Sequence, residues 1–221
     1  MKKKHLECFL SQIETFQNFK LQLEQYSTSV ELAEAILNAV AEEGCMDGCT
    51  VADLGCGPGI LLLGAVKLGA SYGLGIEIDE EAINICRNNI ERCDLGNVVD
   101  VICLDVTKNI SALKPIFDTV IMNPPFGTKN NAGMDLRFVK AGLSILKKNG
   151  KLFSLHKSST RQYIVKFVAQ KLPDISADCI AQLRWNLPAT YSYHRRQSVD
   201  IEVDLWQFSI NSKNKYEMTM I

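Results

Sequence analysis

The chain has 221 residues, of which 47% are hydrophobic, enough for one domain with a full apolar core. This composition argues against a disordered chain, and no apolar run approaches the roughly 20 residues of a membrane-spanning helix. The formal net charge is −1, so the molecule as a whole offers no basic field to a nucleic acid. Any affinity for RNA must therefore come from a local patch or from a partner.

The eight cysteines form no CxxC pair and no Cys/His spacing typical of a metal site. Several lie in predicted strands and helices, where free cysteine behaves as a small apolar residue. The basic residues 1–5 are not followed by the apolar core of a signal peptide. We therefore expect a reduced protein of the nucleus, including the nucleolus, or of the cytoplasm, without a structural metal.

The apolar pattern predicts a helix-rich lead followed by alternating strands and helices. The predicted helices are 2–18, 30–40, 59–68, 80–93, 134–147 and 160–170. The predicted strands are 50–54, 72–77, 98–103, 117–122, 150–156, 178–185 and 198–208. Thr28 is a candidate N-cap of the second helix, and Asp79 of the fourth. These elements predict an α/β fold with a mostly parallel seven-stranded sheet, helices on both faces and an antiparallel last strand at one edge.

The tetrapeptide Asn123-Pro124-Pro125-Phe126 directly follows the predicted strand 117–122. The prolines end the strand because they have no N–H for a ladder, and each holds the preceding residue extended. Asn123 is thereby fixed at the carboxyl end of a strand, where open α/β sheets bind ligands. A rigid amide, fixed carbonyl groups and an aromatic face suit a planar nitrogen substrate. By itself, the tetrapeptide is also compatible with a proline-rich turn.

A glycine-rich turn follows the first predicted strand, with the sequence Asp53-Leu54-Gly55-Cys56-Gly57-Pro58-Gly59. Its glycines let the backbone approach a ligand closely, and it opens a helix whose free N–H groups can meet negative charge. The spacing differs from the dinucleotide fingerprint G-x-G-x-x-G. Glu77 ends the second strand, where a carboxylate can accept ribose hydroxyl groups, and Asp105 follows the third strand. Together these features predict a pocket for an adenosine.

In this order, the motifs resemble those of a class I S-adenosylmethionine-dependent methyltransferase of the N6-adenine type. The chain is more closely similar to the eukaryotic methyltransferase-like protein 5 family, over the stretches 24–26, 51–57, 120–130, 154–161 and 198–205. It departs mildly from the family pattern at Ser27, Pro58 and Glu77, which bears only on cofactor affinity. The resemblance implies one Rossmann-like methyltransferase domain over 1–221, with a helical lead at 1–45, a catalytic core at 46–210 and a loose tail at 211–221.

The resemblance also implies a reaction: N6-methylation of an adenine in small-subunit (18S) ribosomal RNA, with S-adenosylmethionine as the methyl donor. The implied catalytic residues are Asn123, Pro124, Pro125 and Phe126. The implied cofactor-binding residues are Gln25, Thr28, Asp53, Gly55, Gly57, Pro58, Glu77, Asp105 and Val106. For Gln25 and Thr28, the alternative interpretation is a polar loop with a helix cap.

Candidate RNA contacts cluster after the fourth and fifth strands and before the last one. They are Lys129, His156, Lys157, Arg161, Tyr193, Arg195 and Arg196. Residues 191–196 interleave aromatic and basic side chains, which suits base stacking and phosphate contacts. The alternative is a solvated loop between the last two strands.

A partner is expected at the strand 98–103, which the resemblance places at the edge of the sheet. The candidate edge residues are Val98, Val99, Val101 and Ile102. The segment is apolar and free of proline, so its unpaired backbone groups invite another strand. The resemblance implies that a small zinc-binding methyltransferase activator adds a parallel strand there. The alternative is that the N-terminal helix or the tail covers this edge.

Two other functions remain open at this point. One is a protein N5-glutamine methyltransferase, whose similar motif usually ends in tyrosine where this chain has Phe126. The other is a non-catalytic scaffold that binds the cofactor and stabilises a partner. The intact set of Asp53, Glu77, Asp105 and Asn123 argues against the scaffold.

Overall fold

The strands of the computed structural model, which describes residues 3–127, 131–188 and 198–211, form one seven-stranded sheet. They are β1 (Thr50–Leu54), β2 (Tyr72–Glu77), β3 (Val99–Cys103), β4 (Phe117–Met122), β5 (Leu146–Lys157), β6 (Ile175–Pro188) and β7 (Ser198–Ile210). The order across the sheet is β3-β2-β1-β4-β5-β7-β6. Six strands are parallel to one another and β7 is antiparallel, as predicted.

The prediction that the last strand forms an edge is wrong, because β7 lies between β5 and β6. Both faces of β7 are buried: Val203 and Leu205 pack on one side of the sheet, and Trp206 and Phe208 on the other. A strand buried on both faces belongs inside a sheet. The edge strands are therefore β3 and β6.

Helices cover both faces of the sheet, as predicted. They are α1 (Lys3–Leu10), α2 (Val30–Glu42), α3 (Ile60–Lys67), α4 (Glu80–Arg92), α5 (Val106–Asn109), α6 (Met134–Ile145) and α7 (Arg161–Lys171). Helices α1 to α4 lie on one face and α5 to α7 on the other. In the described part of the chain, no helix is long and apolar enough to cross a membrane.

The first helix is shorter than its apolar spacing predicts and ends at Leu10. The N–H groups of residues 11–13 still bond to carbonyl groups of α1, and from Glu14 the backbone bonds to α4. The N–H of Glu14 donates to Oδ1 of Asn89 at 2.9 Å, and Nδ2 of Asn89 donates back to the Glu14 carbonyl at 2.9 Å. These tertiary hydrogen bonds replace the helical ladder, so tertiary context overrides the local pattern.

Side-chain caps begin α2 and α4. The hydroxyl of Ser29 accepts the N–H of Leu32 at 3.2 Å, so the cap of α2 lies one residue after the predicted Thr28. Asp79 accepts the N–H of Glu81 at 3.1 Å and caps α4, as predicted. The shift of the first cap leaves the Thr28 side chain available for the site described below.

Other boundaries also differ from the predicted ones. Helix α6 ends at Ile145 and passes directly into β5, because Leu146 already pairs with Phe117. Strands β6 and β7 are longer than predicted because they pair with each other along their whole length. Helix α5 has four residues, too few to show a helical period in the sequence.

Strand β3 forms the sheet edge that the resemblance implies. Val99 is 3% exposed and packs with Ile90 of α4, so its side chain is not available to a partner and that part of the prediction is wrong. Val98, Val101 and Ile102 are half-buried. Helix α1 packs on α2 and α3, on a face of the sheet, and its Phe9 packs against the cluster that contains Val99.

Candidate active site

A cavity of about 550 Å³ opens at the carboxyl ends of β1, β2 and β4. Its volume lies within the range of about 300–1,000 Å³ that is usual for small-molecule sites. Every sequence-predicted cofactor and catalytic residue lines it: Gln25, Thr28, Asp53, Gly55, Gly57, Pro58, Glu77, Asp105, Val106, Asn123, Pro124, Pro125 and Phe126. The fold therefore brings residues from five separate stretches of the sequence together around one cavity.

The glycine turn after β1 needs glycine for steric reasons. Gly55 and Gly57 have φ of +70° and +52°, which disfavours residues with a side chain. A Cβ at Gly57 would lie 2.9 Å from the Phe16 ring, closer than van der Waals contact allows. The turn is fixed from behind, because the Asn89 amide donates to the Pro58 carbonyl at 3.0 Å. The Phe16 ring thus packs directly against the backbone of the turn.

The carboxylate of Glu77 is oriented by three backbone N–H groups. Oε2 accepts from Gly57 at 2.9 Å, while Oε1 accepts from Ile78 at 2.8 Å and from Asp79 at 3.0 Å. Burial raises the pKa of this carboxyl group in spite of these donors. The group therefore links the glycine turn to the end of β2 and presents its remaining lone pairs to the cavity.

Asp53 is 1% exposed, and burial, with some repulsion from Glu77, raises its pKa to about 8. It accepts a backbone hydrogen bond from Leu62, but its Oδ2 atom has no hydrogen-bond partner among the described residues. An incompletely satisfied buried carboxyl group is costly unless a ligand completes it. A cationic ligand would supply both the missing charge and the missing donor.

Asp105 begins α5 and bounds the cavity on the side of β3. Its carboxylate accepts the N–H and the hydroxyl of Thr107 at 2.9 and 2.7 Å and pairs with Lys108 at 2.8 Å. The hydrogen bond from Lys108 is the largest contribution to the lowered pKa of Asp105. Val106 next to it is buried and adds an apolar surface to the same wall.

Asn123 stands at the end of β4 with its side chain held by the segment before α2. Its Nδ2 donates to the hydroxyl of Thr28 at 3.0 Å. The Phe126 ring meets Trp185 edge-to-face, with centroids 6.1 Å apart, and Trp185 meets Tyr26 in the same way at 6.4 Å. The amide and the aromatic face of the tetrapeptide are therefore both fixed by residues distant in sequence.

Residues 11–29, here called the N-terminal strap, form one wall of the cavity. The sequence did not predict that this segment would line the site. Lys20 and Gln25 both donate to Asp79, each at 2.6 Å, and Gln25 accepts the Lys20 N–H at 2.8 Å. On the other side, the Asn131 amide donates to Glu24 at 3.0 Å. The sequence did not predict the contact between Phe16 and the glycine turn, because the apolar spacing placed Phe16 in the predicted helix 2–18.

The structure does not confirm the candidate RNA contacts as a group. His156 is completely buried and lies 3.0 Å from Asp135, so its proposed RNA contact is wrong. Arg161 makes a bidentate ion pair with Asp204, both contacts being 2.7 Å, so its guanidinium already has a partner. Lys157 lies 5.5 Å above the Phe126 ring, beside the cavity. The remaining candidates, Lys129, Tyr193, Arg195 and Arg196, lie outside the described residues.

All eight cysteines are free. Within residues 3–127, 131–188 and 198–211, no group of three or more His, Cys, Asp or Glu side chains is placed to hold a metal ion. The described residues that line the cavity supply carboxyl groups, hydroxyl groups, the Asn123 amide, the cationic side chains of Lys108 and Arg137, backbone groups and aromatic rings.

Comparison with known proteins decides the family. The methyltransferase small domain model matches residues 29–170. The chain is 43% identical to rRNA N(6)-adenosine-methyltransferase METTL5 of Danio rerio, over 95% of this chain and 99% of the relative. It is also 43% identical to rRNA N(6)-adenosine-methyltransferase metl-5 of Caenorhabditis elegans, over 90% of this chain and 94% of the relative. The chain belongs to the METTL5 family.

A crystal structure supports the fold of this METTL5-family chain. It is that of PH1948 from Pyrococcus horikoshii, described as a candidate RNA methyltransferase, with a TM-score of 0.82 and 30% identity. The similarity covers 97% of this chain and 99% of the other. The sheet is thus that of a class I methyltransferase, and the METTL5-family chain is an enzyme that uses a methyl donor.

Proposed function

We propose that this enzyme transfers a methyl group from S-adenosylmethionine to N6 of an adenine in small-subunit ribosomal RNA. One observation carries the proposal: Asn123-Pro124-Pro125-Phe126 lines the same cavity as Asp53, Gly57 and Glu77. A donor held by the acidic wall and a base held by the tetrapeptide would therefore adjoin. The METTL5 relatives named above are rRNA N(6)-adenosine-methyltransferases, which supports this reaction over glutamine methylation.

The residues of the acidic wall fit S-adenosylmethionine. Asp53 has a buried oxygen without a partner and suits the positive charge of this molecule. Glu77, fixed by backbone donors, suits a ribose diol. Gln25, Thr28, Pro58, Asp105 and Val106 complete the walls of the proposed cofactor site. When bound, S-adenosylmethionine supplies a methyl group already activated on a positively charged sulfur.

The adenine amino group is a weak nucleophile because its lone pair is delocalised into the ring. Asn123 can make this group more nucleophilic. With Nδ2 engaged by Thr28, the Oδ1 atom is left to accept an N–H of the substrate, and the Pro124 carbonyl can accept the second. Two fixed acceptors favour a pyramidal nitrogen with its lone pair directed at the methyl group. The loss of one such oriented contact typically costs about 3–4 kcal/mol in the barrier.

Phe126 provides a face for the target base, and stacking of this kind contributes about 1–3 kcal/mol. Trp185 holds the ring edge-to-face, so little side-chain entropy is lost when a base binds. A base inside a duplex cannot reach this cavity, so the target must be unstacked or single-stranded. Lys157 above the ring adds positive charge beside the position of the base.

We also propose that a small zinc-binding methyltransferase activator adds a parallel strand to β3. In the ladder with β2, the Val98 carbonyl accepts the Gly73 N–H, and the Leu104 N–H donates to the Glu77 carbonyl. Because backbone groups alternate in direction along a parallel strand, the N–H and C=O groups of Val101 and Cys103 point away from the sheet. The Val99 N–H is already bonded to the Leu95 carbonyl. An added strand would satisfy the free groups and extend the surface available to RNA.

The function is tested by assaying the purified protein, alone and with the activator, with labelled methyl donor. Three acceptors are compared: small-subunit ribosomal RNA, an RNA of matched length without adenine, and a glutamine-containing release-factor peptide. Nucleosides from the RNA are then separated and identified by mass spectrometry. We expect label as N6-methyladenosine in the first acceptor alone. Label on the peptide would favour the glutamine methyltransferase, and donor binding without transfer to any acceptor would favour the scaffold.

A further inference from the structure

Positive charge is concentrated on the sheet face formed by α6 and α7. These two helices carry five basic residues and one acidic residue, namely Arg137, Lys140, Arg161, Lys166 and Lys171 against Asp135. The acid is buried and bonded to His156, so it does not offset the surface charge. On the opposite face, helices α1 to α4 together carry five basic and seven acidic residues. A chain of net charge −1 therefore has one distinctly basic face.

Most of this charge is not neutralised within the molecule. Of the five basic residues, only Arg161 forms an ion pair with another described residue. Arg137, Lys140 and Lys166 are exposed. Surface lysines and arginines that lack acidic neighbours are free to meet phosphate groups, and the affinity they provide is electrostatic and sequence-independent.

An exposed aromatic ring lies within this basic face. Tyr163 is 58% exposed, and its ring centroid lies 6.4 Å from that of Phe167. The Lys140 ammonium group lies 5.2 Å above Phe167, so it connects α6 to α7 across the face. Exposed aromatic rings among cations are the arrangement with which proteins bind single-stranded nucleic acid, because every base has a face that can stack.

The basic face is continuous with the active-site cavity. Arg137 lines the cavity at the start of α6, one turn before Lys140 on the same exposed side of the helix. The neighbouring Phe138 ring lies against the glycine turn, 3.2 Å from the position of a Cβ on Gly55. Arg137 therefore belongs both to the basic face and to the wall of the cavity that Phe126 lines.

We propose that the face formed by α6 and α7 binds the single-stranded RNA that flanks the target adenine, an inference that rests on the proposed function. Arg137, Lys140 and Lys166 contact its phosphate groups, and Tyr163 stacks on an unpaired base. The acidic cavity attracts a cationic donor but repels a polyanion, so cations beside it are needed to bring RNA to Asn123. The surface also explains how a chain without net positive charge holds RNA.

The test is the salt dependence of RNA binding by the complete chain, with and without the activator. A fluorescent single-stranded RNA with one adenine is titrated at several salt concentrations, and anisotropy gives the affinity. Each phosphate contact to a single strand contributes about 0.7 to the slope of log K against log salt, so the double variant Lys140→Gln/Lys166→Gln should lower it by about 1.4. The matched control is Lys67→Gln/Arg87→Gln on the opposite face, where Lys67 lies 5.0 Å above the Phe9 ring. We expect the control to leave the slope unchanged.

A second variant separates stacking from charge. Tyr163→Ala should weaken RNA binding at least about fivefold, whereas Tyr163→Phe should keep the wild-type affinity. An unchanged slope in the double lysine variant, or equal losses in the opposite-face control, would overturn the proposed surface. Tighter binding of a polyglutamate peptide than of RNA would assign the face to an acidic protein instead and would also overturn it.

Binding and catalysis distinguish this inference from the proposed function. If RNA binds through this face but no methyl group is transferred, the proposed function fails and the binding surface stands. If methyl transfer to RNA proceeds and the salt slope is insensitive to the α6 and α7 variants, the surface fails and the proposed function stands.

Discussion

The side-chain nitrogen of Asn123 donates a hydrogen bond to the hydroxyl of Thr28 at 3.0 Å, across 95 positions of sequence. The bond joins the end of β4 to the residue just before the cap of α2. It orients the Asn123 amide, because a donor engaged by Thr28 leaves the oxygen for the substrate. The segment before α2 therefore contributes to the geometry of the proposed catalytic tetrapeptide as well as to the walls of the cavity.

Replacement of Thr28 tests this relationship. Thr28→Val keeps the shape but removes the hydroxyl, and we expect kcat to fall about tenfold, the size of one lost hydrogen bond. Thr28→Ser should restore kcat to within about twofold because it keeps the oxygen. Calorimetric titration of the donor shows whether affinity also changes. A Thr28→Val enzyme with normal kcat and weaker donor binding would mean that the hydroxyl serves the cofactor alone.

Glu77 should bind the donor and also support the glycine turn, because one of its oxygens accepts the Gly57 N–H. Glu77→Gln is therefore a cleaner test than Glu77→Ala, since it keeps one acceptor and the side-chain volume. We expect S-adenosylmethionine affinity to fall at least about tenfold in Glu77→Gln, with a larger loss and a lower melting temperature in Glu77→Ala. Equal donor affinities in wild type and Glu77→Gln would remove Glu77 from the proposed cofactor site.

Asp53 should couple donor binding to proton release. Burial raises its pKa to about 8, so the ligand-free protein holds a proton there at neutral pH. A cationic ligand favours the charged carboxylate, so binding should release nearly one proton at pH 7, and affinity should rise with pH up to about 8. Calorimetry in two buffers of different ionisation enthalpy measures the released proton. Asp53→Asn should bind more weakly and release none.

The raised pKa of Asp53 also predicts how the stability of the ligand-free protein depends on pH. The folded-state pKa lies above the unfolded value of about 4, so between these values the folded protein binds more protons than the unfolded chain. The free energy of unfolding should therefore decrease as pH rises from about 4 to 8, and Asp53→Asn should remove that part of the decrease. A wild-type pH profile that matches Asp53→Asn would show that the carboxyl group is already ionised at neutral pH.

The edge of β3 can be tested by removing one outward N–H. Val101→Pro deletes that donor and leaves the hydrogen bonds to β2 in place, since edge strands tolerate proline on their free side. Val101→Thr is the matched control because it keeps the N–H and the side-chain shape. We expect Val101→Pro alone to lose co-purification with the activator while donor binding stays normal. Normal complex formation by Val101→Pro would place the partner elsewhere.

Local signals in the sequence predicted most of the sheet, the glycine turn and the tetrapeptide, whereas cavity residues such as Gln25, Thr28 and Val106 were implied by the family resemblance. Buried strands show as apolar runs, and the turn after Asp53 and the stop after Asn123 follow from glycine and proline chemistry. What the sequence did not predict depends on tertiary contacts. The chain after α1 is held at Glu14 by the distant Asn89, and the buried His156 is bonded to Asp135. The internal position of β7 needed knowledge of what covers both of its faces.

The most direct measurement is single-turnover methyl transfer by Asn123→Ala, on RNA that the wild-type enzyme methylates at adenine N6. The missing acceptor acts mainly in the transition state, so we expect the rate to fall at least about 100-fold while donor affinity stays within about tenfold. A circular dichroism melt of the same sample shows that the variant is folded. A folded Asn123→Ala enzyme that methylates RNA at the wild-type rate would contradict the proposed role of Asn123 and the site built around it.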